Sequence, residues 1–179
     1  MKMFGSWRKE PPPIQGEQVP FASDESAKTA KSNDNGQPIG QNRKLLVVDD
    51  NQVVLKAFEM KMRSLGFQVF TATDGSGAVS VARQERPDLI VLDINFPPDV
   101  GSSGLQWDGF NIMEWMRRFR EVAEIPVIII TSGEPVKYKA RALAGGASAF
   151  FQKPINHEEF LIAIRRILGQ NKAVQAPAA

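Results

Sequence analysis

The chain has no cysteine and a single histidine in 179 residues. Disulfides and thiolate metal sites are excluded, which fits a reducing compartment. Charge of one sign is also scarce: 22 Lys and Arg oppose 20 Asp and Glu, for a net charge of +2. No strong field therefore draws the chain toward nucleic acid or a membrane surface, and the pI near 9.0 reflects a small imbalance among many opposed charges. No apolar run approaches the ~20 residues of a membrane-spanning helix. Residues 1–10 lack the apolar stretch of a secretory signal. These absences point to a cytoplasmic protein with no membrane insertion and no nucleic-acid partner.

The apolar fraction, 42%, can build a core, and the length suits one domain with extensions. Composition changes near Arg43. Residues 1–43 are rich in Pro, Ser, Gln, Asn, Gly and Lys, with Pro11-Pro12-Pro13 stiff and extended. Phe4, Trp7, Ile14, Val19, Phe21 and Ile39 are scattered without a period. Such a segment buries too little apolar area to offset its ordering entropy, so a disordered leader is expected. Residues 170–179 form a short Ala- and Pro-containing tail with the same expectation. Between them, 44–169 is expected to be the folded domain.

Three short runs there are continuously apolar: Leu45-Leu46-Val47-Val48, Leu89-Ile90-Val91-Leu92 and Val127-Ile128-Ile129-Ile130. Continuous rather than alternating apolar character indicates strands buried on both faces, as in a parallel sheet covered by helices. Residues 67–72 and 149–152 read as weaker strands near the edges. Helical patterns fill the gaps. Leu55, Phe58, Met62 and Leu65 share a face that Gly66 terminates. Asp74 caps a second helix running to about Arg86, and Pro87 stops it. Asp108 caps a third, with Ile112, Met116 and Phe119 on one face. Pro135 opens a fourth, ending at Gly145-Gly146. Asn156 and Glu159 resemble a capping box for the fifth, whose Leu161, Ile164 and Leu168 face inward. Five β-α repeats predict an α/β fold: a flavodoxin-like, doubly wound, five-stranded parallel sheet of order 2-1-3-4-5.

In such sheets ligands bind beyond the carboxyl ends of the strands, where the winding reverses, here between strands one and three. Strand one ends in Asp49-Asp50 and strand three in Asp93, which places three carboxylates around one crevice. Like charges so close require a cation or a proton. Oxygen donors without His or Cys suit Mg²⁺. Strand four ends in the hydroxyls of Thr131-Ser132, and Lys153-Pro154 follows strand five. Carboxylates, a divalent cation, a hydroxyl and an ammonium make a phosphoryl site.

Four segments, Leu46-Val47-Val48-Asp49-Asp50, Val91-Leu92-Asp93-Ile94-Asn95, Ile130-Thr131-Ser132 and Phe151-Gln152-Lys153-Pro154, together resemble the signature segments of two-component response-regulator receiver domains, over about residues 44–169. Any one of them is a weak signal; all four at the right strand ends are a strong one. The resemblance implies that Asp93 is the phosphoacceptor, taking its phosphoryl group from a histidine kinase, a histidine phosphotransfer protein or a small donor such as acetyl phosphate. It implies that Asp49, Asp50, Asp93 and the backbone carbonyl of Asn95 bind Mg²⁺, and that Lys153 contacts the phosphoryl group. A cis Lys153-Pro154 bond, a Thr131 that swings toward the phosphoryl group and a Phe150 switch that turns inward are implied too. The face built from strand four, helix four, strand five and helix five would then meet a downstream protein target. Duller roles stand beside these: Asp50 or Asn51 as the cap of the first helix, Thr131 or Ser132 as that of the fourth, Phe150 and Trp115 as packing, His157 as an exposed first-turn residue.

One stretch departs from the family pattern. Residues 96–107 separate Asn95 from Asp108-Gly109 by several positions more than usual; they are either tolerated loop growth or a partial cover for the site. The chain ends soon after the fifth helix, so output through protein contacts is expected, as in stand-alone, chemotaxis-type receivers. Two alternatives to a phosphoacceptor switch remain. A haloacid-dehalogenase-like phosphatase also uses a strand-end Asp, but it normally has an acid where this chain has Asn95. A phosphorylation-independent adaptor would not need the whole set of acceptor-site groups.

Overall fold

The computed structural model describes residues 38–95 and 109–174. The parallel sheet consists of β1 (Lys44–Val48), β2 (Gln68–Ala72), β3 (Leu89–Asp93), β4 (Val127–Thr131) and β5 (Ala149–Gln152), in the order β2-β1-β3-β4-β5. The helices are α1 (Gln52–Ser64), α2 (Gly75–Glu85), α3 (Gly109–Met116), α4 (Pro135–Ala144) and α5 (His157–Val174). No helix among the described residues is long and apolar enough to cross a membrane.

The three unbroken apolar runs form the central strands, and alternate side chains serve opposite faces. Leu45, Val47, Leu89, Val91, Ile128 and Ile130 pack with Leu55 and Met62 of α1 and Phe160, Leu161 and Ile164 of α5. Leu46, Val48, Ile90, Leu92, Val127 and Ile129 pack with Ala78 of α2, Ile112 and Met116 of α3, and Ala142 of α4. Two helices therefore cover one face and three the other. Burying each Leu, Ile or Val there contributes about 1.5–3 kcal/mol.

Helix ends follow local chemistry. Asn51 caps α1, its Oδ1 accepting from the N–H of Val53 at 2.9 Å. Asp74 caps α2 through the Gly77 N–H at 2.7 Å. That hydrogen bond, with those from Ser76 and Thr73, holds the Asp74 carboxyl below its ordinary range against the opposing effect of burial. Asn156 Oδ1 accepts from Glu158 and Glu159 at the start of α5. Glu134 occupies the cap position of α4 without a side-chain bond, so neither Thr131 nor Ser132 caps that helix.

Three ends and one exposure differ from the reading of the sequence. Ile39 is buried at 6% exposure and the Gly40 N–H donates to Leu65 O at 3.0 Å, so the ordered chain begins before Arg43. At the other end α5 runs to Val174, five residues beyond 169. Gly169 lies where an added Cβ would meet nothing within 4 Å, so it neither packs nor stops the helix. Helix α3 ends at Met116, short of Phe119, because the Arg118 and Phe119 N–H groups bond back only three residues, to Trp115 and Met116. His157 is half-buried rather than exposed. Asp108 and the long stretch 96–107 lie outside the described residues.

Candidate functional site

The sheet register brings the chemistry together. Val48 pairs with Leu92, Asp93 with Ile130 and Thr131 with Gln152, so four strands end at nearly one level. Asp93 is the last residue of β3 and Thr131 the last of β4; Asp49 follows β1 and Lys153 follows β5. Asp49, Asp93 and Thr131 are the polar residues that the described structure buries.

Each buried carboxylate is held at both oxygens. Asp49 Oδ1 accepts the N–H of Asn51 at 2.9 Å, and Asp93 Oδ1 accepts that of Asn95 at 2.8 Å. Their Oδ2 atoms both accept from Lys153 Nζ, at 2.6 and 2.5 Å. Lys153, itself only 21% exposed, thus joins the ends of β1, β3 and β5. Burial alone would lower its pKa. The hydrogen bonds and negative charges of Asp49 and Asp93 outweigh that effect and raise it above its ordinary value. The Lys153-Pro154 bond is cis, as the resemblance implies. Thr131 Oγ1 accepts the Gly133 N–H at 3.0 Å, and the Lys153 N–H donates to Thr131 O at 2.7 Å, tying β4 to β5.

Asp50 is exposed, and among the described residues no three acidic or histidine side chains gather closely enough to hold a metal ion unaided. The ammonium of Lys153 stands between the two buried acids instead. The donor set still fits Mg²⁺: hard oxygens, no imidazole or thiolate, and few carboxylates, as that ion takes while keeping several waters. Phe150 is half-buried against the core beneath α2, α3 and α4. Trp115 packs on Phe119 with ring centres 4.4 Å apart.

Residue-type reasoning missed three backbone contributors. The Asn51 and Asn95 amides steady the carboxylates; an Asx turn two residues after each Asp is the signal that predicts them. Gly109 is the third. A Cβ there would lie 2.5 Å from Ile94 Cα, so the start of α3 approaches the end of β3 as only glycine permits.

A doubly wound, flavodoxin-like sheet thus carries, at the ends of its strands, two acids bridged by a lysine with a buried threonine alongside. The response regulator receiver domain model matches residues 45–165, and the chain belongs to that family, whose members are signalling switches of two-component systems. Among relatives, the polar-differentiation response regulator DivK of Brucella anthropi is 29% identical over 127 residues, covering 71% of this chain and 97% of DivK. The probable transcriptional regulatory protein TcrX of Mycobacterium tuberculosis is 32% identical over 133 residues, or 74% of this chain, which spans only about half (51%) of TcrX. Among solved structures, the chemotaxis protein CheY4 of Vibrio cholerae matches with a TM-score of 0.61 at 28% identity, over 70% of this chain and 98% of its own. The receiver domain of the sensor histidine kinase PA1611 of Pseudomonas aeruginosa, described with magnesium coordinated in its active-site cleft, gives 0.61 at 27% identity, over 71% and 98%.

Proposed function

We propose that this chain is a phosphoacceptor switch of a two-component or phosphorelay pathway, acting in the cytoplasm, with Asp93 as the acceptor. The observation that carries this is the shared grip of Lys153 Nζ on Asp49 and Asp93, at 2.6 and 2.5 Å, at the ends of separate strands. An Asp93 oxygen attacks the phosphorus of a phosphohistidine on a histidine kinase or phosphotransfer protein. The P–N bond to the donor imidazole breaks, the imidazole takes up a proton, and an acyl phosphate forms on Asp93. Lys153 then turns its ammonium from the carboxylate to the phosphoryl oxygens. Asp49, Asp50, Asp93 and the carbonyl of Asn95 would hold Mg²⁺, which supplies charge neutralisation when bound. Thr131 exchanges its bond with the Gly133 N–H for one to the phosphoryl group, and Phe150 moves into the space this opens. The altered β4-α4-β5-α5 face carries the signal to a protein target. The chain is a stoichiometric acceptor rather than a turnover enzyme, and no nucleic-acid partner is part of the reading.

Incubation with acetyl phosphate and Mg²⁺ followed by phosphate-affinity electrophoresis tests it. One shifted band is expected for the wild type and none for Asp93→Ala. An unshifted wild type overturns the proposal, and continuous release of phosphate from a phosphomonoester would favour a phosphatase.

A further inference from the structure

Beside the acceptor site, α1 and the start of α5 enclose an apolar groove of about 390 Å³. Val54, Phe58 and Met62 line one wall, and Pro154, Ile155 and Phe160 the other. The outer face of α1 continues it: Val53 is 78% exposed and Met60 65%. Two cations, Lys61 and Lys153, edge the groove. Lys153 is engaged by Asp49 and Asp93. Lys61 is exposed and has no carboxylate partner among the described residues. An occupant should therefore carry a large apolar side chain with acidic residues next to it.

We propose that the groove is the docking site of this chain's own leader, with Phe21 as the apolar anchor and Asp24 and Glu25 beside Lys61. Two observations choose this occupant. The first is attachment. The described chain starts at Pro38, which packs by Gly66, and the Gly40 N–H donates to Leu65 O, so the leader joins the fold one turn beyond Lys61 and Met62. From Glu25 to Pro38 the chain can span up to about 45 Å when extended, far more than that short distance requires. Tethering also makes the contact intramolecular, so even a weak one is populated. The second is charge. Val19-Pro20-Phe21-Ala22-Ser23-Asp24-Glu25 puts acids next to its aromatic residue, whereas the other aromatic cluster, Phe4 to Trp7, is followed by Arg8-Lys9 and meets like charge at the groove. The docking does not depend on the reading of Asp93 above.

Because the chain has no cysteine, Ser23→Cys gives the full-length protein a unique site for a nitroxide label. At low salt the amide resonances of Ala57, Lys61, Ile155 and Phe160 are expected to lose about half their intensity or more, while those of α3 do not, and added salt restores part of the loss. Phe21→Ala abolishes the effect, as does Asp24→Lys with Glu25→Lys. Combining that reversal with Lys61→Glu recovers it. These leader changes leave the sheet resonances in place, so unfolding does not mimic the result. Attenuation that survives Phe21→Ala, or that spreads evenly over the helices, overturns the proposal. So does attenuation carried from labelled to unlabelled molecules, which would assign the groove to a second copy. The same experiment on Asp93→Ala protein keeps a failure of docking separate from a failure of phosphorylation.

Discussion

At the scale of the residue, adjacent acids with the same side chain have different fates. Asp49 is buried and clamped, whereas Asp50 is exposed. The sequence shows that acids end β1; it does not show which one Lys153 takes, because that depends on a strand end more than a hundred positions away. Lys153 gives a prediction with a definite sign. Its pKa is raised in the folded protein, so its contribution to stability is complete below its ordinary value near 10.5 and is lost as pH rises through the higher folded value. Urea denaturation of wild type and Lys153→Met is expected to show the wild type more stable at pH 8, with the gap closing above pH ~10.5. A gap that widens in alkali would contradict the bridge. Removing the lysine also leaves two buried acids facing each other with no counter-charge, which penalises the variant near neutrality.

At the scale of the element, strands were legible and helix ends less so. Continuous apolar runs have few structural meanings, and the three central strands form where they predict. Helix ends depend on contacts that periodicity does not encode. Helix α3 stops at Met116 because its next amides bond back three residues rather than four. Helix α5 passes through Gly169 because nothing packs there to stop it, at a propensity cost of about 1 kcal/mol. Gly109 offers the test at this scale. Gly109→Ala forces a methyl group to within 2.5 Å of Ile94 Cα and 2.7 Å of Asp93 O. Those are backbone atoms, so the strand end itself must move. Denaturant unfolding is expected to show a loss of about 1–3 kcal/mol, with slower phosphorylation of Asp93. A neutral substitution would mean that α3 does not approach the end of β3 so closely.

At the scale of the whole molecule, the fold class, the strand order and the gathering of strand ends were readable from pattern alone, since five β-α repeats leave few topologies. The edge of the domain was not. Ile39 lies in a polar stretch without periodicity, and a single apolar residue gives no pattern, yet it joins the core formed by α1, α5 and the sheet. Ile39→Ala is therefore expected to destabilise the domain by about 2 kcal/mol or more, as core truncations do. Thermal unfolding unchanged by it would put the boundary back at Arg43. The proposed function depends on one placement: two buried acids and a lysine meeting at the ends of three strands. Reductive trapping addresses that placement most directly. After exposure to acetyl phosphate and Mg²⁺, borohydride converts an aspartyl phosphate to homoserine, which peptide mass spectrometry locates. Homoserine at position 93 alone is the predicted result; its absence there, or its appearance at position 49 or 50 instead, would contradict the account.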